Sequence, residues 1–147
     1  MNANEVEILL VEDNPNDVEL TLRALRLHNL ANRIHVARDG VEALDFLFQT
    51  GEYGNRNGMA NPKVVFLDLK MPRVDGLEVL RKVRENDATR KIPIVIVTSS
   101  REEQDIVRGY EYGANSYVVK PVDFDKFISV MKELGMYWLV VNQPPQR

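Results

Sequence analysis

The chain has 147 residues, 44% of them hydrophobic and 28% charged, which suits one globular domain with a sizeable core. A formal net charge of -3 argues against a generic nucleic-acid footprint, and the lack of any cysteine excludes disulfides, thiolate metal sites and a cysteine nucleophile. The opening residues Met1 to Glu7 are polar and acidic, with no basic-then-apolar pattern of a signal peptide. No apolar run is long enough to span a membrane, so a cytoplasmic location is expected.

The predicted elements alternate along the chain. Val6 to Val11, apolar apart from Glu7, reads as a first buried strand ending in Glu12-Asp13. Asn14-Pro15 supplies an N-cap and a proline at the first helical position, and Val18, Leu22 and Leu25 carry helical spacing to about His28. Arg33 to Ala37 predicts a short second strand. Asp39-Gly40 is a turn whose aspartate is placed to cap a second helix, marked by Val41, Leu44 and Leu47 and running to about Gln49. Thr50 to Pro62 holds three glycines, three asparagines and a proline, and reads as a long surface loop or contact surface. Val64 to Leu67 is a third strand, apolar throughout as in a parallel sheet, with Asp68 at its tip.

Val74-Asp75-Gly76 leads into a third helix with Leu77, Leu80 and Val83 on one face. Pro93 to Val97 is a fourth strand closed by Thr98-Ser99-Ser100. Glu102 to Tyr112 predicts a weakly amphipathic fourth helix resting on Ile106, Val107 and Tyr110, with Gly113 as its C-cap. Ser116 to Val119 is a fifth strand closed by Lys120-Pro121. Asp123 caps a fifth helix that buries Phe124, Phe127, Ile128, Met131 and Leu134 and stops at Gly135. Tyr137 to Val141 is apolar and β-prone, and either packs back on the domain or forms an exposed patch. Five strands alternating with five helices predict an α/β fold on a parallel sheet, with no linker and no second domain.

The polar residues at the strand ends point to a site. In open α/β sheets ligands bind at the carboxyl ends of the strands. Those ends carry Glu12-Asp13, Asp68, Thr98 and Lys120. Three carboxylates brought together repel one another unless a cation compensates, and hard oxygen ligands suit Mg²⁺. A carboxylate can also attack phosphorus to give an aspartyl phosphate, for which Lys120 supplies positive charge and Thr98 a hydroxyl. Each residue also has a plainer role: the acidic pair as helix caps, Thr98 as a strand-end residue, Lys120 as a solvated lysine.

Taken together, Val11-Glu12-Asp13, Leu67-Asp68-Leu69-Lys70-Met71-Pro72 with Asp75-Gly76, Val97-Thr98-Ser99 and Tyr117-Val118-Val119-Lys120-Pro121 resemble the receiver domain of two-component response regulators, the CheY-like fold. The resemblance covers about Val6 to Gly135. It implies a doubly wound five-stranded sheet in the order 2-1-3-4-5, a receiver domain over 1–135 with its core at about 6–135, and a C-terminal extension over 136–147 with no separate output domain. It implies Asp68 as phosphoacceptor. Mg²⁺ would be held by Asp13, Glu12, Asp68 and the backbone carbonyl of Lys70, whose side chain would face the site's mouth. Lys120 would pair with the phosphoryl group, and the Lys120–Pro121 peptide would be cis. Thr98 and Tyr117 would be the switch pair.

The Thr50–Pro62 insertion, the acceptor strand and the C-terminal tail resemble more narrowly the small response regulators partnered with phytochromes. That likeness implies a phytochrome-type histidine kinase as partner. It also implies a homodimer through the fourth helix, fifth strand, fifth helix and tail, without nucleic acid or membrane. The expected activity is that of a stand-alone phosphoacceptor switch with self-catalysed phosphotransfer and autodephosphorylation, not a metabolic enzyme.

Three rivals fit less well. An aspartyl-phosphate phosphatase commonly has a second aspartate two residues after the nucleophile, where this chain has Lys70. A flavodoxin-like cofactor carrier needs a phosphate-cradling loop after the first strand, where Glu12 and Asp13 would repel phosphate. A pseudo-receiver would have lost the acceptor or the lysine.

Overall fold

Runs of branched apolar residues make the strands, and their burial fixes the sheet. A computed structural model describes residues 6–29, 33–56 and 60–143. Its elements are β1 (Ile8–Val11), α1 (Pro15–Leu27), β2 (Ile34–Ala37), α2 (Gly40–Phe48), β3 (Val64–Leu67), α3 (Gly76–Glu85), β4 (Ile94–Thr98), α4 (Glu103–Glu111), β5 (Ser116–Val119) and α5 (Phe124–Met136). The five strands are parallel in the order β2-β1-β3-β4-β5, as expected. The central β1, β3 and β4 are buried on both faces, and the edge strand β5 is half-buried along its length. No helix among the described residues is long and apolar enough to cross a membrane.

Two apolar layers flank the sheet. Leu9, Val11, Val65, Leu67, Ile94 and Ile96 face one way, against Phe46 and Leu47 of α2 and Val79, Leu80 and Val83 of α3. Ile8, Leu10, Val64, Phe66, Val95 and Val97 face the other way, against Val18 and Leu25 of α1 and Phe127 and Met131 of α5. Each fully buried side chain of this size contributes about 1.5–3 kcal/mol of transfer free energy. The caps are as read: Asn14 accepts from the N–H groups of Asn16 and Asp17, Asp39 from that of Glu42, and Asp123 from that of Lys126.

Four expectations change. First, α4 buries Asp105 and Gly109, while Val107 and Tyr110 are exposed and Ile106 is half-buried. A Cβ on Gly109 would lie 2.8 Å from Ile96 Cδ1 and 3.2 Å from the Tyr117 ring. The helix thus approaches the sheet through its lack of a side chain there.

Second, Gly135 does not stop the last helix. α5 runs to Met136 and continues into a π-helical turn over Tyr137–Val141. Met131, Leu134, Gly135, Trp138 and Leu139 fall at helical spacing, and Trp138 and Leu139 pack on the layer around Phe127. That period overrides the β-propensity of the tail. Phe124, at the start of α5, is 70% exposed instead of buried.

Third, residues 51–56 of the expected loop form a 3₁₀ turn at the surface, tied to the domain. His35 stacks on Phe46 with centroids 4.4 Å apart, the Arg56 guanidinium lies 3.7 Å over the same ring, and the Tyr53 hydroxyl donates to Glu42 Oε2 at 2.7 Å. Arg56 also donates to the Phe46 carbonyl at 2.7 Å. Residues 57–59 of this insertion, and 144–147 of the tail, lie outside the described residues.

Fourth, the Lys120–Pro121 bond is trans; no cis peptide occurs among the described residues. Trans is the lower-energy form even before proline. The Lys120 N–H donates to the Thr98 carbonyl at 2.7 Å.

Candidate functional site

The β1–β3 register builds the site. Val11 pairs with Leu67, so the next residues, Glu12 and Asp68, emerge side by side at the sheet's switch point. Carboxylate oxygens of Glu12, Asp13 and Asp68 lie within 4.8 Å of one another. Glu12 and Asp68 are buried and Asp13 is exposed. Asp68 Oδ1 accepts the Leu69 N–H at 2.8 Å, which fixes the carboxylate and turns Oδ2 toward Lys120. The Asp75-Gly76 pair explains the loop that follows. Asp75 caps α3, and a Cβ on Gly76 would lie 2.2 Å from the Asp68 carbonyl oxygen, so only glycine lets α3 start so close to this backbone.

The electrostatics are those of a strained acidic cluster. Burial, helped by the charge of Asp68 and opposed by Lys120, pushes Glu12 up from 4.5 to about 7. Lys120 projects from the end of β5 into this cluster. Its Nζ lies 2.6 Å from Glu12 Oε1, 2.8 Å from Asp17 Oδ2 and 3.5 Å from Asp68 Oδ2. Burial works against its charge, but the hydrogen bonds to Asp17 and Glu12 outweigh that and hold its pKa above the usual lysine value. Lys120 is therefore a fixed cation. Asp17 is a member of the site that the strand ends did not reveal. The available signal is its place in the first turn of α1, just after the acidic pair in sequence.

Thr98 is fully buried at the end of β4, on the strand next to β3. Its Oγ1 accepts the Ser100 N–H at 3.5 Å, and among the described residues this hydroxyl bonds neither the Asp68 carboxylate nor the Lys120 ammonium. Tyr117 is half-buried against the layer around Ile96, and its hydroxyl donates to the Ser100 carbonyl at 3.0 Å. The Lys70 side chain is mostly exposed and reaches α4, where Nζ lies 3.3 Å from Asp105 Oδ2. Asp105 also accepts from Ser100 Oγ at 2.5 Å; that hydrogen bond and Lys70 hold its carboxyl below the usual range. This buried helix carboxylate also went unread in the sequence.

Three convergent oxygen donors, two of them desolvated, suit a hard divalent cation better than a transition metal that prefers nitrogen or sulfur. A family model for the response regulator receiver domain matches residues 8–132. The chain belongs to that family. Receiver domains bind a divalent metal in such an acidic pocket, so the cluster fits the family.

Among its relatives, the probable methanogenesis regulatory protein FilR2 of Methanothrix harundinacea (strain 6Ac) is 40% identical over 138 residues, spanning 94% of this chain and 86% of that one. The solved structure of the bacteriophytochrome response regulator AtBRR is 58% identical, with a TM-score of 0.73 over 95% of this chain and 99% of that one. The structure of the phosphorylated cyanobacterial phytochrome response regulator RcpA is 32% identical, with a TM-score of 0.89 over 97% of this chain and 99% of that one.

Proposed function

We propose that this receiver accepts a phosphoryl group on Asp68 from the phosphohistidine of a phytochrome-type histidine kinase and signals through the face formed by α4, β5 and α5. The observation that carries the reading is the junction of the three-carboxylate cluster with Lys120 at the β1–β3 switch point. Asp68 attacks phosphorus, the bond to the imidazole nitrogen breaks, and an acyl phosphate forms. Glu12, Asp13, Asp68 and the Lys70 carbonyl are the groups that would hold Mg²⁺. When bound, that ion neutralises charge on the transferring oxygens. Lys120 stays charged and offers the same oxygens a donor. New charge on Asp68 draws the Thr98 hydroxyl toward it and shifts the Tyr117–Ser100 contact, which moves the start of α4.

The phytochrome-type partner is supported by the likeness to AtBRR and RcpA, whose names give that role to them. A homodimer on the same face is supported by its exposed apolar side chains: Val107, Tyr110, Val122 and Phe124, continuing to Tyr137 and Val140 on the tail over 136–147. The receiver unit over 1–135 works in the cytoplasm, where kinase and phosphodonor meet it.

Incubation with acetyl phosphate and Mg²⁺ tests the chemistry. The intact mass should rise by one phosphoryl group, and Asp68→Asn should abolish the rise. An unchanged wild-type mass refutes the reading. Light scattering with and without residues 136–147 tests the dimer, and a monomer in both cases refutes it.

A further inference from the structure

Lys120 has more acidic company than phosphoryl transfer requires. Charge-assisted hydrogen bonds run at about 2.7–2.9 Å. By that measure Lys120 is bonded to Glu12 and Asp17, while its 3.5 Å separation from Asp68 is an electrostatic contact without a good hydrogen bond. The nearest resting partners of the lysine are thus not the acceptor. Glu12 belongs to the cation cluster, but Asp17 does not. Asp17 stands on the rigid first turn of α1, where its own N–H bonds the Asn14 cap at 3.2 Å and the adjacent Val18 is buried. Its backbone is therefore held at the start of α1 and does not move with the lysine toward β3.

We infer that Asp17 is a positioning residue that holds the Lys120 ammonium off the acceptor in the resting protein and releases it when a phosphoryl group occupies Asp68. The inference rests on Asp68 being the acceptor. Two effects of Asp17 act in one direction. The lysine must leave a 2.8 Å partner to reach phosphoryl oxygens on Asp68. The fixed negative charge of Asp17 also repels an incoming anionic group directly. Both favour the unmodified state, so Asp17 raises the threshold for acceptance.

The test is Asp17→Asn in the full chain, titrated with beryllofluoride at saturating Mg²⁺ and read by ¹⁹F NMR of the bound anion. Asparagine keeps the shape and an acceptor oxygen but removes the charge. The half-saturating concentration should fall about three- to tenfold, the scale expected for one partly buried charge partner. Asp17→Glu should restore the wild-type value, and Asp17→Ala should behave like the asparagine variant. Losing a negative charge can only weaken cation binding, so altered metal affinity cannot imitate the gain. A residue that merely anchors α1 would lower the melting temperature without tightening the anion.

Unchanged or weaker beryllofluoride binding in Asp17→Asn overturns the inference while leaving the acceptor reading intact. A wild type that takes neither beryllofluoride nor a phosphoryl group from acetyl phosphate overturns both.

Discussion

Replacing Glu12 with glutamine should stabilise the metal-free protein. Glu12 ionises at about 7 in the folded chain against an ordinary value of 4.5, because it is desolvated beside Asp68. The favourable pull of Lys120 is already included in that value. A folded-state pKa raised in this way means the folded protein holds the proton more tightly than the unfolded chain. The stability this provides is complete below about pH 4.5 and is lost as pH rises to about 7. At about 1.4 kcal/mol per pH unit, the full rise amounts to about 3 kcal/mol. Glutamine cannot ionise and still offers Lys120 an oxygen at the same place, so Glu12→Gln should recover most of it.

At pH 8 without divalent metal, the variant's melting temperature should exceed the wild type's by about 5–10 °C. The gap should shrink steadily as the pH is lowered to 5. Added Mg²⁺ should narrow it at pH 8, since the wild type gains more from the cation. Differential scanning calorimetry across pH 5–8 measures all three. A variant less stable than wild type at pH 8, or a gap that does not change with pH, refutes the strained-cluster argument.

Other substitutions test the scaffold around the site. Gly76→Ala drives a Cβ into the Asp68 carbonyl and should cost about 1–3 kcal/mol by urea denaturation, with a matching loss of phosphorylation. Arg84 donates to the carbonyls of Gly113, Arg90 and Ile92 and to Asn115 Oδ1, so Arg84→Met strands acceptors between α3, β4 and β5 and should cost about 2–3 kcal/mol in the same assay. Tyr53→Phe removes the hydroxyl that links Glu42 and His35, and should speed limited proteolysis within 50–62 with little change in melting temperature.

The central strands and the strand-end residues were legible because a continuous apolar run announces both its burial and its polar terminus. That is how Glu12, Asp13, Asp68, Thr98 and Lys120 came into view together. Asp17 and Asp105 were hidden because a carboxylate on a helix has the same pattern as a solvated charge, and its partners, Lys120 and Lys70, stand far away in sequence. α4 looked marginal because its packing uses the absence of a side chain at Gly109, which no hydrophobic count registers. The tail's β-propensity misleads, because a helical period carries Trp138 and Leu139 back onto the core, the packed alternative of the two its sequence offers, while Tyr137, Val140 and Val141 stay exposed. The anchor of residues 51–56 depends on His35, on a strand well before the insertion.

The central claim is that Asp68 itself takes the phosphoryl group. Borohydride reduction of the acetyl-phosphate-treated protein, followed by peptide sequencing, reads the modified carboxyl directly. Reduction at position 68 alone, dependent on Mg²⁺ and lost in Lys120→Met, is the predicted result. Reduction at Glu12, Asp13 or Asp17 with Asp68 untouched would contradict it.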